Sequence, residues 1–212
     1  MRTDDLIRAL ANDVGTMAPP PQRTVSLAVL AGLLIAVPLF LVAFGVRGDI
    51  ARIISSWRFD LKMVATLALA IAAFAAARRL MRPDTDPRAA LAPLLVGPLL
   101  LLAGLGVELA TVPADRWAAT MLGNNALVCL TAVPLLSTAP LAALLYGMRN
   151  GAPASPAWAG AGAGLLASGL GAVLYATHCT DDSPLFVATW YSIAILAVTG
   201  VGALLGSRLL RW

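Results

Sequence analysis

Residues 157–177 read AWAGAGAGLLASGLGAVLYAT, an uninterrupted run of apolar and small residues. About 20 such residues in a helix cross a bilayer core about 30 Å thick, so this run predicts a membrane-spanning helix. Small residues recur at every fourth position in this run and in a later one, at Gly160, Gly164, Ser168, Ala172, Gly202 and Gly206. That spacing forms a flat helix face on which two backbones approach closely. We interpret it as packing within one helical bundle, in preference to a dimer interface.

Five further apolar runs accompany this one along the 212-residue chain. Hydrophobic residues make up 59% of the sequence and charged residues 12%, with a mean hydropathy of +0.83. Soluble domains are about a quarter charged, so this composition excludes a soluble globular enzyme, a disordered chain and a nucleic-acid-binding domain. Backbone polar groups in lipid must be satisfied internally, which requires helices. We predict an all-α integral membrane protein in which residues 1–24 form a cytoplasmic segment and residues 25–212 form a six-transmembrane-helix bundle, with spans near 25–46, 62–80, 89–110, 124–148, 157–177 and 186–207.

Positive charge is distributed unequally between the two sides of this predicted bundle. Ten basic residues lie on the side of the two termini: Arg2, Arg8, Arg23, Arg78, Arg79, Arg82, Arg88, Arg149, Arg208 and Arg211. Five lie on the other: Arg47, Arg52, Arg58, Lys62 and Arg116. Cytoplasmic loops are enriched in Lys and Arg, so we expect both termini in the cytoplasm. Aromatic residues then fall near the outer interface, as is typical of membrane proteins: Trp57, Trp117, Trp190 and Tyr191.

The cores of the predicted spans carry no Asp, Lys, Arg or His, and Glu108, near the outer end of the third span, is the only glutamate. Ion-coupled transporters usually keep ionisable groups near the bilayer midplane. This pattern disfavours a pump or a channel. Basic residues beside apolar spans mark topology, so the net charge of +4 indicates a lipid bilayer as partner and no direct contact with nucleic acid.

The two cysteines, Cys129 and Cys179, are predicted to lie toward the same outer side. Cys129 is about five residues into the fourth span, and Cys179 follows His178, the only histidine, in the loop before the sixth span. A neighbouring histidine lowers a thiol pKa or completes a soft metal site, so Cys129, Cys179 and His178 are a candidate Cys2His set. A structural disulfide in an oxidising compartment and inert buried thiols are equally compatible with the pattern.

The N-terminal residues have the pattern of a short amphipathic helix. Thr3 is a suitable cap, Asp4 and Asp5 are favourable in a first turn, and Leu6, Ile7, Leu10 and Val14 share one face. A proline-rich spacer at residues 17–23 follows. Such a helix either lies on the inner leaflet or binds a cytosolic partner, and its two aspartates favour the protein partner.

Several motifs together resemble one known family. They are RTDDLI at residues 2–7, Trp117 with MLG at 121–123, Asn125 and Cys129, PLLS at 134–137, GAP at 151–153, Tyr175 with His178-Cys179, DSP at 182–184, Trp190-Tyr191 and the closing RLLRW at 208–212. This set resembles the NrsF family of six-helix membrane anti-sigma factors, negative regulators of sigma F, and it extends over nearly the whole chain.

The resemblance implies a non-enzymatic anti-sigma factor in a bacterial inner membrane. It would sequester an extracytoplasmic-function sigma factor on the cytoplasmic side, with Thr3, Asp4, Asp5, Leu6, Ile7 and Leu10 as the sigma-binding segment. Release would follow when Cys129 and Cys179, with His178, sense oxidant or heavy-metal stress. We expect no resident cofactor, with a soft metal ion as a transient ligand of the cysteines. The alternatives are a small transporter or permease and, more remotely, a membrane thiol oxidoreductase, which the missing CxxC motif disfavours.

Overall fold

The computed structural model describes residues 2–13, 21–83, 86–149 and 151–211, and its regular secondary structure in these ranges is helical throughout. Six helices are long and apolar enough to cross a membrane. They cover Arg23–Ala43, Trp57–Leu80, Arg88–Thr111, Ala126–Met148, Pro156–Ala176 and Pro184–Leu209. The predicted six-helix, all-α membrane architecture is therefore confirmed. The largest shift is in the second span, which begins at Trp57, whereas the sequence pattern placed its start at residue 62.

Long membrane-spanning helices are accompanied by several short ones along the chain. In chain order the helices are α1 (Thr3–Asp13), α2 (Pro21–Ala43), α3 (Ile50–Ile53), α4 (Trp57–Leu80), α5 (Pro87–Leu91), α6 (Val96–Thr111), α7 (Trp117–Leu122), α8 (Ala126–Met148), α9 (Pro156–Ala176), α10 (Pro184–Phe186) and α11 (Ser192–Leu209). A 3-10 turn at Ala92–Leu95 joins α5 to α6, and a π-helical turn at Val187–Tyr191 joins α10 to α11. The third and sixth spans are thus each built from two helices and an irregular turn.

The fifth span, α9, is the central helix of the bundle. Within its most apolar window 61% of residues are buried, against 17% for the third span. Its glycines make close approaches on three sides: Gly164 faces α11, Gly169 faces α4 and Gly171 faces α8. A helix that touches three neighbours through bare backbone has no room for side chains on those faces, which explains the small residues in its sequence.

The predicted small-residue faces of α9 and α11 pack against each other inside this one chain. A Cβ atom placed on Gly202 would lie 2.5 Å from the carbonyl oxygen of Gly160, and one on Gly206 would lie 2.5 Å from the Cα of Gly160. A Cβ on Gly164 would lie 2.7 Å from the carbonyl oxygen of Val198. The interpretation as packing within the bundle is confirmed.

A second close pair joins α2 to α8. A Cβ on Gly32 would lie 2.5 Å from the Cα of Pro140, and one on Gly147 would lie 3.2 Å from Thr24 Cγ2. The α2–α8 contact therefore extends from mid-helix to the start of α2, the helix that follows α1 in the sequence.

The bundle has two ends, set by the alternation of the six spans. The cysteine end holds the connections at residues 44–56, 112–125 and 177–183. The arginine end holds residues 81–83, 86, 149, 151–155 and 210–211. Each end has its own buried apolar cluster. That of the cysteine end includes Cys129, Cys179 and Tyr175, and that of the arginine end includes Val25 and Met148.

Substituting a single glycine tests the α9–α11 contact. Gly202→Ala should lower the Tm of the detergent-solubilised protein, because the added Cβ meets Gly160 backbone and overpacking typically destabilises by about 1–3 kcal/mol. Gly200→Ala is the matched control, since a Cβ there meets nothing within 4 Å and alanine favours the helix. Equal Tm values for the two variants would show that the close contact does not stabilise the bundle.

Candidate functional site

The structure brings both cysteines into the buried cluster at the cysteine end. Cys129 is in the first turn of α8, with 0% of its surface exposed, and Cys179 follows α9, with 1% exposed. Both are free thiols, and the cluster around them contains Tyr175, Phe186 and Tyr191. Cys179, Lys62 and Asp181 are the ionisable groups that interact electrostatically with the Cys129 thiol.

We call residues 177–183, which connect α9 to α10, the cysteine loop. One attachment of this loop is a buried ammonium on α4. Lys62 is 1% exposed, and its Nζ donates to the carbonyl oxygen of Cys179 at 2.9 Å and to Oδ1 of Asp182. Removing one partner of such a buried ion pair leaves an uncompensated charge, which is strongly destabilising. The charge of Lys62 therefore fixes the Cys179 backbone against α4.

Arg47 and His178 join the cysteine loop to the segment that follows α2. The Arg47 guanidinium donates to Asp182 Oδ2 at 2.9 Å and to the carbonyl oxygen of Cys179 at 3.1 Å, and it also pairs with Asp49. His178 Nδ1 lies 3.0 Å from the carbonyl oxygen of Gly45. A carbonyl only accepts, so Nδ1 carries the proton and donates it to Gly45.

Asp181 joins the loop to the start of α8. Its Oδ2 accepts from the backbone N–H groups of Asn124 at 3.0 Å and Asn125 at 2.8 Å, and from the Asn125 side chain at 2.8 Å. A carboxylate at a helix N-terminus satisfies free N–H groups and interacts favourably with the helix dipole. Gly123 makes this approach possible, because its φ of 56° and ψ of −164° suit glycine almost alone, and a Cβ there would lie 2.8 Å from Asp181 Cγ.

Glu108 attaches the far end of the loop to α6. It is completely buried, and its Oε2 accepts from Ser183 Oγ at 2.8 Å and from the Leu185 N–H at 3.0 Å. Its other oxygen lies 3.3 Å from the guanidinium of Arg58 on α4. The cysteine loop is thus held by α4, α6, α8 and the segment after α2, so it moves only if several of these contacts rearrange.

This polar anchorage corrects two sequence-based expectations. Lys62, expected at the first position of the second span, lies five residues inside it and is buried, so that span does contain a buried charge. Tyr191, expected at the outer interface, is 1% exposed and packs in the core, with its ring 5.8 Å from that of Tyr175. One signal for Lys62 was available in the sequence: it is the only lysine among 15 basic residues. The lysine ammonium is a compact charge with three N–H donors.

Two buried tyrosines complete the surroundings of Cys179. The hydroxyl groups of Tyr175 and Tyr191 are buried. Among the residues that the structure describes, neither hydroxyl has a hydrogen-bond partner. Tyr191 lies on the π-helical turn, and such turns occur frequently at functional sites. The turn places the tyrosine ring toward Phe186 and Tyr175, in the same cluster as the thiol.

The Cys179 thiol is protonated at neutral pH. Burial raises its pKa above the ordinary value, and the positive charge of Lys62 opposes this rise. Because the thiolate is the nucleophile and the metal ligand, this thiol must lose its proton before it reacts.

The candidate three-ligand metal set does not assemble in the described structure. Among the residues described, no group of three or more His, Cys, Asp or Glu side chains is arranged to hold a metal ion. His178 donates to the Gly45 carbonyl, and its ring packs at 5.5 Å from Phe44 and 6.0 Å from Tyr175. The structure thus gives His178 a part in holding the loop and leaves the two thiols as a pair.

The predicted N-terminal helix is present as α1. It begins at Thr3, and the carbonyl oxygen of Arg2 accepts from the N–H groups of Asp5 and Leu6, so Thr3 is the first helical residue rather than the cap. Asp4 and Asp5 lie in the first turn as expected. Leu6 and Ile7 are 43% and 58% exposed, which leaves two large apolar side chains uncovered. The side chain of Leu10, and Val14 with the spacer as far as Pro20, lie outside the part that the structure describes, and Pro21 begins α2.

The buried charge pair gives an asymmetric prediction. Asp182→Asn should destabilise the protein by about 3–5 kcal/mol, because Lys62 loses its carboxylate partner. Lys62→Met should destabilise it less, since Asp182 keeps Arg47. Thermal unfolding in detergent measures both, with Asp115→Asn at an exposed position as control. A Tm for Asp182→Asn equal to that of the control would show that the pair is not needed.

Comparison with known proteins identifies the family. A family model described as NrsF, negative regulator of sigma F, matches residues 10–212. The chain is 35% identical over 218 residues to the anti-sigma-F factor NrsF of Caulobacter vibrioides (strain NA1000 / CB15N), and 33% identical over 216 residues to the probable anti-sigma-F factor NrsF of Azospira oryzae (strain ATCC BAA-33 / DSM 13638 / PS). Each alignment covers 100% of both chains. No solved structure matches the chain. The chain belongs to the NrsF family, the negative regulators of sigma F.

Proposed function

We propose that this chain is an inner-membrane anti-sigma factor that sequesters an extracytoplasmic-function sigma factor and releases it when Cys129 and Cys179 react with an oxidant or a soft metal ion. The family supports the anti-sigma part of this proposal. One structural observation supports the sensing part: the two free thiols share a buried cluster, and the loop that carries Cys179 is attached to several spans.

The proposed orientation places the arginine end in the cytoplasm. It follows from the basic residues, ten on the side of the termini and five on the other. In that orientation the cysteine end faces the periplasm, where disulfides persist. The sigma factor and the signal would then act at opposite ends of the bundle.

The proposed sigma-binding segment is α1. Its exposed Leu6 and Ile7 form the apolar face of an amphipathic helix, with Asp4 and Asp5 in the first turn. Amphipathic helices bind grooves in partner proteins through apolar residues spaced in this way. We assign Thr3, Asp4, Asp5, Leu6, Ile7 and Leu10 to this surface.

The proposed chemistry at the cysteine end is a change from two thiols to a linked pair. With an oxidant, the two thiols lose two electrons and two protons and form one S–S bond. With a soft metal ion, both lose their protons and bind the ion as thiolates. Either product draws the start of α8 toward the cysteine loop and competes with the contacts of Lys62, Asp181 and Arg47 that hold the loop in place.

The proposed route to the other end runs along α8. Cys129 is in its first turn, and Gly147 near its last turn packs against Thr24 of α2. A packed helix moves as a unit, so a shift at Cys129 reaches the base of the segment that carries α1. Converting bound sigma factor to free needs roughly 3–5 kcal/mol of coupling. A disulfide supplies about 2–4 kcal/mol, which is the right scale.

Replacing both cysteines tests the sensing step. In a Cys129→Ser/Cys179→Ser variant, transcription from a sigma-dependent reporter should stay repressed with or without oxidant or soft metal. Reporter assays in cells measure this, with the two single variants alongside and immunoblots to confirm equal protein levels. Induction equal to that of the parent protein would contradict thiol sensing and leave the anti-sigma function intact.

Charge placed on the apolar face of α1 tests the sigma-binding segment. A Leu6→Asp/Ile7→Asp variant should lose capture of the sigma factor and give constitutive reporter activity, because charge on that face prevents its burial in a groove. Arg8→Asp is the matched control, since it changes net charge by the same amount on the opposite face of the helix. Equal loss in both variants would contradict binding through the apolar face.

A further inference from the structure

We propose a binding site for one anionic phospholipid on the outside of α4, at the arginine end. It consists of an arginine cleft for the headgroup and an adjoining apolar groove for an acyl chain. This proposal does not depend on the anti-sigma function or on the cysteines.

The arginine cleft is a cavity of about 290 Å³ lined by Arg78, Arg79 and Arg82 with Ala75. Three guanidinium groups within five residues are a concentrated positive charge in a chain with a net charge of only +4. Planar guanidinium groups bind phosphate oxygens in pairs of hydrogen bonds. Basic pockets at the ends of membrane helices bind anionic lipid headgroups.

The apolar groove is a cavity of about 460 Å³ between α2, α4 and α9. Its lining is almost wholly hydrocarbon and includes Val29, Leu33, Ile71, Phe74, Leu166 and Leu170. Ile71 is 68% exposed within the protein, so it lies at the open side of the groove. The groove lies at membrane depth, where apolar chains are the surrounding solvent.

Cleft and groove lie along one face of α4. Leu67, Ile71, Phe74 and Arg78 follow one another at spacings of three or four residues, which places them on one side of α4. Arg82, two residues beyond the end of α4, lines the cleft with Arg78. The Arg78 guanidinium lies over the ring of Phe74, 5.4 Å from its centre, so the last apolar residue of the groove contacts the first arginine of the cleft. At 1.5 Å per residue, Leu67 and Arg78 are roughly 16 Å apart along the axis, about half of a 30 Å hydrocarbon core.

These dimensions select a lipid over other occupants. This face has positive charge at the level of the lipid headgroups and, next to it, an apolar groove about one leaflet deep. A phospholipid has a matching arrangement, with an anionic headgroup followed by its acyl chains. A cytosolic acidic peptide reaches the cleft but not the groove. A second copy of this chain, packed symmetrically, would bring its own arginines against these three.

Lipid titration of the full-length protein in detergent, followed by native mass spectrometry, tests the site. Phosphatidylglycerol should bind with a stoichiometry of one, and phosphatidylcholine with the same chains should bind much more weakly. Arg78→Gln/Arg82→Gln should weaken phosphatidylglycerol binding by roughly fivefold per arginine, on the order of 20-fold in total. Arg88→Gln/Arg149→Gln, which removes the same charge from exposed positions at the same end, should bind like the parent protein.

Ile71→Trp keeps every charge and fills the groove, so it should also weaken binding if the chain lies there. Thermal unfolding confirms that each variant is folded. Unchanged binding by Arg78→Gln/Arg82→Gln, equal losses in the two double variants, or equal affinity for phosphatidylcholine would overturn the proposal. Glycerol phosphate that competes as well as the lipid would overturn it too, because the cleft would then bind a free anion without the groove.

Discussion

The Lys62 ammonium, buried against the Cys179 carbonyl and the Asp182 carboxylate, is the interaction on which the cysteine end depends. A charge at that depth is stable only while its partners stay in place. It therefore imposes one position on the loop that carries Cys179, and Asp181 imposes the matching position on the start of α8, which carries Cys129. Electrostatic contacts thus hold a thiol on α8 and a thiol in the cysteine loop in one cluster, in a chain whose composition is mainly apolar.

Close packing of the helices connects the position of the cysteine loop to the rest of the bundle. The glycine faces of α9 bring its backbone against α11, α4 and α8, and backbone contacts of that kind do not deform gradually. In the proposed mechanism, a change at the cysteine end is therefore passed on as movement of whole helices. The contact between Gly147 and Thr24 then links the far end of α8 to α2, the helix that follows α1 and its spacer in the sequence. In the mechanism that we propose, the signal and the sigma factor are coupled through α8 in this way.

The number of spans, their approximate limits and the packing of the small-residue faces could be predicted from the sequence, because each of these features depends on periodicity and length. It also singled out Cys129, Cys179 and α1. It did not reveal the anchorage of the cysteine loop. Lys62 and Asp182 are 120 positions apart, and Glu108 and Ser183 are 75 apart, so nothing local marks them as partners. Lys62 is at the edge of an apolar run, where the sequence does not distinguish a buried lysine from one in a loop. The burial of Tyr191 depends on the π-helical turn, which hydrophobic periodicity does not reveal.

The most direct measurement is co-purification of the intact protein from solubilised membranes, before and after treatment with an oxidant or a soft metal ion, with quantitative mass spectrometry of what remains bound. We expect a sigma factor at a fixed stoichiometry in the untreated sample and its loss after treatment, together with modification of Cys129 and Cys179. A sigma factor that stays bound while both cysteines are modified would contradict the coupling, and the absence of any sigma factor in the untreated sample would contradict the proposed anti-sigma function.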